Sequence, residues 1–167
     1  METQYISSTE LLEKSQILYE FVDRFSNYEN TARNYCNGRE DLFSMTEVHI
    51  LAMINENPGI SVSQLAVLAR RSKSFISQVV SKFRNSDYIV QIAEERDLKK
   101  KHLFVSAKGK DLCDAHSKFD EIQLMKTYNY LLRDCTSEEI DAFYKVMSVY
   151  NTIMKAAEQK RKRHQVT

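Results

Sequence analysis

The stretch from Lys73 to Phe83 carries two chemistries at helical spacing. Ile76, Val79, Val80 and Phe83 recur at i, i+3, i+4 and i+7 and form an apolar stripe, while the opposite face presents Lys73, Ser74, Ser77, Gln78, Ser81 and Lys82. Glutamine pairs bidentately with adenine, serine bonds to base edges or phosphate, and lysine reaches guanine or phosphate. Taken alone these six side chains read equally well as an ordinary solvated helix face. Charge distribution separates the two readings. Residues 70–110 hold 11 basic and 4 acidic side chains, residues 1–69 hold 4 and 10, and residues 111–167 balance at nine of each, all within a chain whose overall net charge is only +1. One quarter of the chain is therefore a positive face suited to a polyanion. Arg70 and Arg71 precede the helix in that quarter, and Arg96, Asp97, Lys99, Lys100 and Lys101 follow it.

These residues need elements to position them, and the pattern supplies helices. Only three glycines and one proline occur in 167 residues, too few for a sheet rich in tight turns. From Ser8 to Cys36 the apolar residues Leu11, Leu18, Val22, Phe25 and Ala32 recur at steps suited to one long amphipathic helix, which Asn37-Gly38 would end. Ser44-x-x-Glu47 is a capping box that opens a second helix running to Asn57-Pro58-Gly59, and Ser61-x-x-Gln64 opens a short third. Ser72 is the expected N-cap of the fourth, which reaches about Asn85. The period then shifts toward two. Tyr88 to Ile92 and Leu103 to Ser106 predict a two-stranded hairpin around a long basic tip, residues 93–102. Helical pattern resumes after Gly109 to about Leu132, and a last helix starting at Thr136 or Ser137 carries Ile140, Phe143, Met147, Tyr150 and Met154, with a frayed basic end at 160–163.

Two short helices joined by a tight turn and followed by a basic hairpin are the parts of a winged helix-turn-helix. The first helix braces the second, the second fits the major groove, and the hairpin reaches the flanking minor groove. The hairpin region resembles the MarR family of bacterial transcriptional regulators. The resemblance rests on Asp97-x-Lys99 followed at the family's spacing by Val105-Ser106, Ala107-Lys108 and Gly109, and upstream on Leu65-Ala66 and Ser72-Lys73-Ser74-x-x-Ser77. It covers residues 44–115 by motif and the whole chain by order of elements. Three positions depart from the family pattern. Lys99 stands where arginine is usual and lacks the planar fork that suits a narrow minor groove. Arg70 and Asp87 occupy glycine-like positions where a left-handed conformation is strained for arginine and milder for aspartate; an extended turn at Arg70 is the alternative.

The expected fold is mainly α: a single domain, residues 1–167, with a winged helix-turn-helix lobe at 44–109, a two-stranded β-hairpin wing, and dimerisation helices at 8–36 and 110–160. The resemblance implies a homodimer whose terminal helices form one interface and whose two lobes read the half-sites of an inverted repeat in double-stranded DNA. The apolar pattern points the same way, since Leu11, Leu18, Val22 and Phe25 near the N-terminus and Met147, Tyr150 and Met154 near the C-terminus exceed what one lobe needs to cover. The function expected is a repressor of the MarR type; a winged-helix module docking an acidic protein is the rival. Family members often sense a small aromatic ligand, and Tyr28, Tyr35, Phe43, His49 and Met53 lie near the junction where such a cleft is expected, although core packing is their simpler role.

No nucleophile elbow, zincin helix, dinucleotide fingerprint or Walker loop occurs, so no enzyme and no cofactor is expected. His49, His102, His116 and His164 are too scattered in sequence to name metal ligands. Cys36, Cys113 and Cys135 fit reduced thiols; the family's peroxide-responsive branch carries its reactive cysteine near the start of the first helix, whereas Cys36 falls at the end. The longest apolar run, Ile50 to Ile54, cannot span a bilayer, and the N-terminus has no secretory pattern, which leaves the cytoplasm as the expected compartment.

Overall fold

The computed structural model describes residues 7–36, 38, 40–94 and 97–164, with the side chains of 97–100 and 162–164 not described. Among the described residues six helices and one hairpin follow in the order α1 (Ser8–Asn30), α2 (Met45–Glu56), α3 (Val62–Leu68), α4 (Lys73–Asn85), β1 (Ile89–Glu94), β2 (Asp97–Val105), α5 (Ala107–Leu131) and α6 (Ser137–His164). Two compact units divide the chain, residues 1–119 and residues 120–167.

The capping signals read from sequence are formed. Ser44 Oγ accepts from the Glu47 amide while the Glu47 carboxylate accepts from the Ser44 amide, and Ser61 and Gln64 make the same reciprocal pair. Ser72 caps α4, accepting from the Phe75 amide at 3.2 Å. Thr136 is the residue that caps α6, exchanging bonds with Glu139. The core of the first unit gathers Phe43, Val48, Leu51, Ile54, Leu65, Ile76, Val79, Val80, Phe83, Tyr88, Leu103 and Leu112. Phe43 stacks on Phe83 and meets Tyr88 edge-on, so the segment before α2, the fourth helix and the start of the wing share one aromatic cluster.

Four expectations need correction. The first helix ends at Asn30 rather than Cys36, because Asn30 and Thr31 turn their side chains back onto the carbonyls of Ser26 and Asn27 and the chain then goes extended. Arg33 pairs with Phe43 as an isolated antiparallel bridge, which places Cys36 in the loop, and Gly38 at φ +81° serves that loop rather than a helix end. The hairpin strands are longer than expected, since Ala93 pairs with Lys101 and Glu94 with Asp97, so most of the predicted tip is strand. At the C-terminus α6 runs through 160–163 to His164 instead of fraying. Arg70 and Asp87 both take left-handed backbone, at φ 52° and 60°, which removes the extended alternative for Arg70.

Two connections hold the wing to the helices. The Gly59 amide donates to the Leu103 carbonyl at 2.8 Å and the Leu103 amide donates to the Ile60 carbonyl at 3.0 Å, an isolated antiparallel bridge at the wing root. Gly109 is the position where α5 crosses Tyr88: a Cβ there would collide with the Tyr88 carbonyl oxygen and lie 2.6 Å from Val105 Cγ1. Lys108 beside it bridges Asp41, at 3.1 Å, and the Ser86 carbonyl, while Tyr88 donates to the same Asp41 carboxylate at 2.8 Å. Among the described residues no helix is long and apolar enough to cross a membrane.

Candidate nucleic-acid interface

Helix α4 is held by its buried stripe, Ile76, Val79, Val80 and Phe83, and this fixes which face looks outward. Lys73, Ser74, Ser77 and Gln78 are exposed on that outer face, and Ser81 is half-buried. None of these five carries an apolar group large enough to compete with water, so the face is open to base edges and phosphates. Arg70 and Arg71 lie exposed in the turn between α3 and α4, with the Arg71 guanidinium 5.7 Å from the Phe75 ring. Lys101 is exposed on β2. Asp97, Lys99 and Lys100 fall on the same strand by backbone, and Arg96 lies outside the described residues.

Lys82 differs from the other five helix residues. Its ammonium sits 2.8 Å from both oxygens of Glu47 on α2 and 4.8 Å from the centre of the Phe43 ring. Helix spacing placed it on the polar face, but the pairing depends on a residue 35 positions away that spacing cannot reveal.

Of the five residues assigned to a ligand cleft, three lie outside the cavity that the other two line. Phe43 is a core residue, Tyr28 is exposed beneath the Arg33 guanidinium, and Tyr35 packs edge-on against His116 and Phe119. His49 and Met53 do line a cavity of about 120 Å³, together with Glu29, Thr46, Ile50, Ala69 and Arg71. That volume is well below the roughly 300–1,000 Å³ typical of drug-sized ligand sites. It runs from the end of α1 to the turn that precedes α4.

One cluster was missed by sequence reasoning. The His49 and His116 rings lie 4.9 Å apart, with His49 on α2 and His116 on α5. His49 lies 67 residues upstream of His116, a separation that no local spacing bridges. Cys113 also belongs to α5, and burial, followed by the nearby Asp114 and Glu56 carboxylates, pushes its thiol up to about 11. A thiol so shifted is a poor nucleophile at neutral pH.

Paired short helices, an exposed polar helix face and a hairpin pinned behind it define a winged helix-turn-helix protein. Residues 43–99 match the family model of the MarR family. The chain also carries the fold of that family's transcription regulators. It is similar to FabT of Streptococcus pneumoniae, solved in complex with DNA, at 18% identity and a TM-score of 0.67, covering 87% of this chain and 97% of that one. The MarR family transcription regulator SP03579 superposes with a TM-score of 0.69 at 14% identity, covering 91% and 95% of the two chains. ZitR of Lactococcus lactis, described as a zinc-responsive MarR family member, gives 0.60 at 18% identity, covering 85% and 96%. No curated protein sequence matches the chain.

Proposed function

We propose that the chain is a sequence-specific double-stranded DNA-binding regulator of the MarR type, acting as a homodimeric repressor that occupies an inverted repeat. The observation that carries this reading is the outer face of α4, where Lys73, Ser74, Ser77 and Gln78 stand exposed on a helix braced by α3, within the basic quarter of the chain. Gln78 and the serines would read base edges, while Arg70, Arg71, Lys73 and the wing lysines, Lys99, Lys100 and Lys101, hold phosphates and the flanking groove. Residues 44–109 serve as the DNA-binding lobe and the helices on either side as the dimerisation part.

The homodimer is supported by apolar surface left open. Helix α1 buries no residue, and Leu11, Val22 and Phe25 are exposed along it with Leu18 half-buried. On α6, Tyr150 and Met154 are exposed and Met147 is half-buried. Stripes of this length on both terminal helices suit a two-fold partner. Lys73→Ala should weaken binding to all duplexes alike and Gln78→Ala should relax preference at particular base pairs. Gel-shift titrations on operator and scrambled duplexes separate the two effects, and loss of a protein contact with DNA binding untouched by both would favour the rival module for an acidic protein partner.

A specific observation also favours a divalent metal as effector rather than an aromatic compound. The two imidazoles of His49 and His116, with ring centres 4.9 Å apart, supply nitrogen donors of the kind zinc takes. Zinc-responsive ZitR has the same fold. Thermal melting with and without zinc chloride tests this: a rise in the native protein that disappears in His116→Gln supports the metal, and equal melting in both contradicts it.

A further inference from the structure

Of the basic residues on α4, Lys82 has a partner whose own duties are unusual. Glu47 sits at the third position of α2, where Oε2 accepts from the Ser44 amide at 2.8 Å and completes the capping box. Both oxygens of the same carboxylate also accept from Lys82 Nζ at 2.8 Å. The side chain of Glu47 is only 18% exposed, against 42% for Lys82, so the anion is the fixed partner and the cation is drawn to it. The Phe43 ring, part of the core cluster, adds a second attraction at 4.8 Å.

An ammonium held by two carboxylate oxygens and an aromatic face is not free to neutralise a phosphate, because it must surrender those contacts first. Resting on the reading that this lobe binds DNA, we propose that Glu47 is a specificity-determining positioning residue: it withholds Lys82 from the duplex and uses it to tie α4 to α2. Two consequences follow in the same geometry. The electrostatic, sequence-independent part of binding is smaller by one cation per protomer than the count on α4 suggests. The angle between α4 and its bracing elements is fixed by a charge-assisted bond placed near the C-terminal end of α4, away from Lys73, Ser74, Ser77 and Gln78, which do the reading.

Glu47→Gln tests the proposal without removing the cap, since glutamine serves at that capping-box position, as Gln64 does in α3. Binding of the full-length protein to an operator and to a random duplex is measured across salt concentrations. Freed lysines on both protomers of a dimer should steepen the log affinity against log salt slope by about 1.8, from 0.9 per phosphate contact, and raise affinity for the random duplex. Adding Lys82→Met to Glu47→Gln should return the slope to its native value. Thermal melting confirms that each variant is folded, and Lys82→Gln in the native background provides a second arm should Glu47→Gln fail to fold. That single change should leave the slope within about half a unit of native, whereas loss of two phosphate contacts would flatten it by about 1.8. A native slope in Glu47→Gln, or a flattened slope in Lys82→Gln, overturns the role given to Glu47 while leaving DNA binding intact. A native protein that binds neither duplex overturns both readings together.

Discussion

Arg70 places a long cationic side chain in backbone that favours glycine, at φ 52° in the turn before the reading helix. Left-handed backbone costs an L-residue about 1–2 kcal/mol, so a purely structural turn would be better served by glycine. The exposed guanidinium is therefore expected to act on something outside the fold, and phosphate is the partner the surrounding charge suggests. Arg70→Gly should raise stability by about 1 kcal/mol in urea unfolding and at the same time weaken duplex binding. Stability and affinity rising together would show that the residue has no role in the interface. Gly109 shows the opposite demand: Gly109→Ala drives a methyl into the Tyr88 carbonyl and Val105 and should cost about 3 kcal/mol, read from the same unfolding curves. Burial, more than its acidic neighbours, holds the Cys113 thiol at about 11, so the folded state favours its neutral form. Iodoacetamide labelling at pH 8 should find it roughly a hundredfold less reactive than an ordinary thiol, and any stability the neutral form contributes is present below pH 9 and lost as pH rises through about 11.

The elements most visible in the sequence are those fixed by neighbours three or four residues apart. Ser44 with Glu47, Ser61 with Gln64, and the stripe Ile76, Val79, Val80 and Phe83 are all local, and α2, α3 and α4 fall where they point. Elements settled by distant partners were less visible. The extended stretch after α1 depends on Arg33 pairing with Phe43, and the wing root depends on Ile60 pairing with Leu103, across 10 and 43 residues that no periodicity links. The interface follows the same division: helix spacing revealed the outer face of α4, but neither the capture of Lys82 by Glu47 nor the approach of His49 to His116. Capping carries much of this local order. Ser44→Ala removes the acceptor for the Glu47 amide and should destabilise the lobe by about 1 kcal/mol, measured by chemical denaturation, while leaving Glu47 free to hold Lys82.

At the level of the whole molecule, charge is divided between a net negative N-terminal stretch and a positive quarter, in a chain close to neutral. On the proposed reading, one surface of such a chain steers it to DNA while the apolar faces of its terminal helices take up a second copy. Polar substitutions at Leu18 and Phe25 should therefore break the dimer and weaken operator binding together, and sedimentation of an unchanged dimer would show that the seam lies elsewhere. The measurement that reaches the central claim most directly is a selection from a random duplex library with the purified protein, repeated at two salt concentrations. An enriched inverted repeat with half-sites about one helical turn apart, retained at the higher salt, is the predicted result. With about four phosphate contacts per protomer, the log affinity for that repeat should fall with log salt at a slope near −7. Binding that enriches no motif and vanishes with salt would contradict sequence-specific regulation and leave only the attraction of a basic lobe for a polyanion.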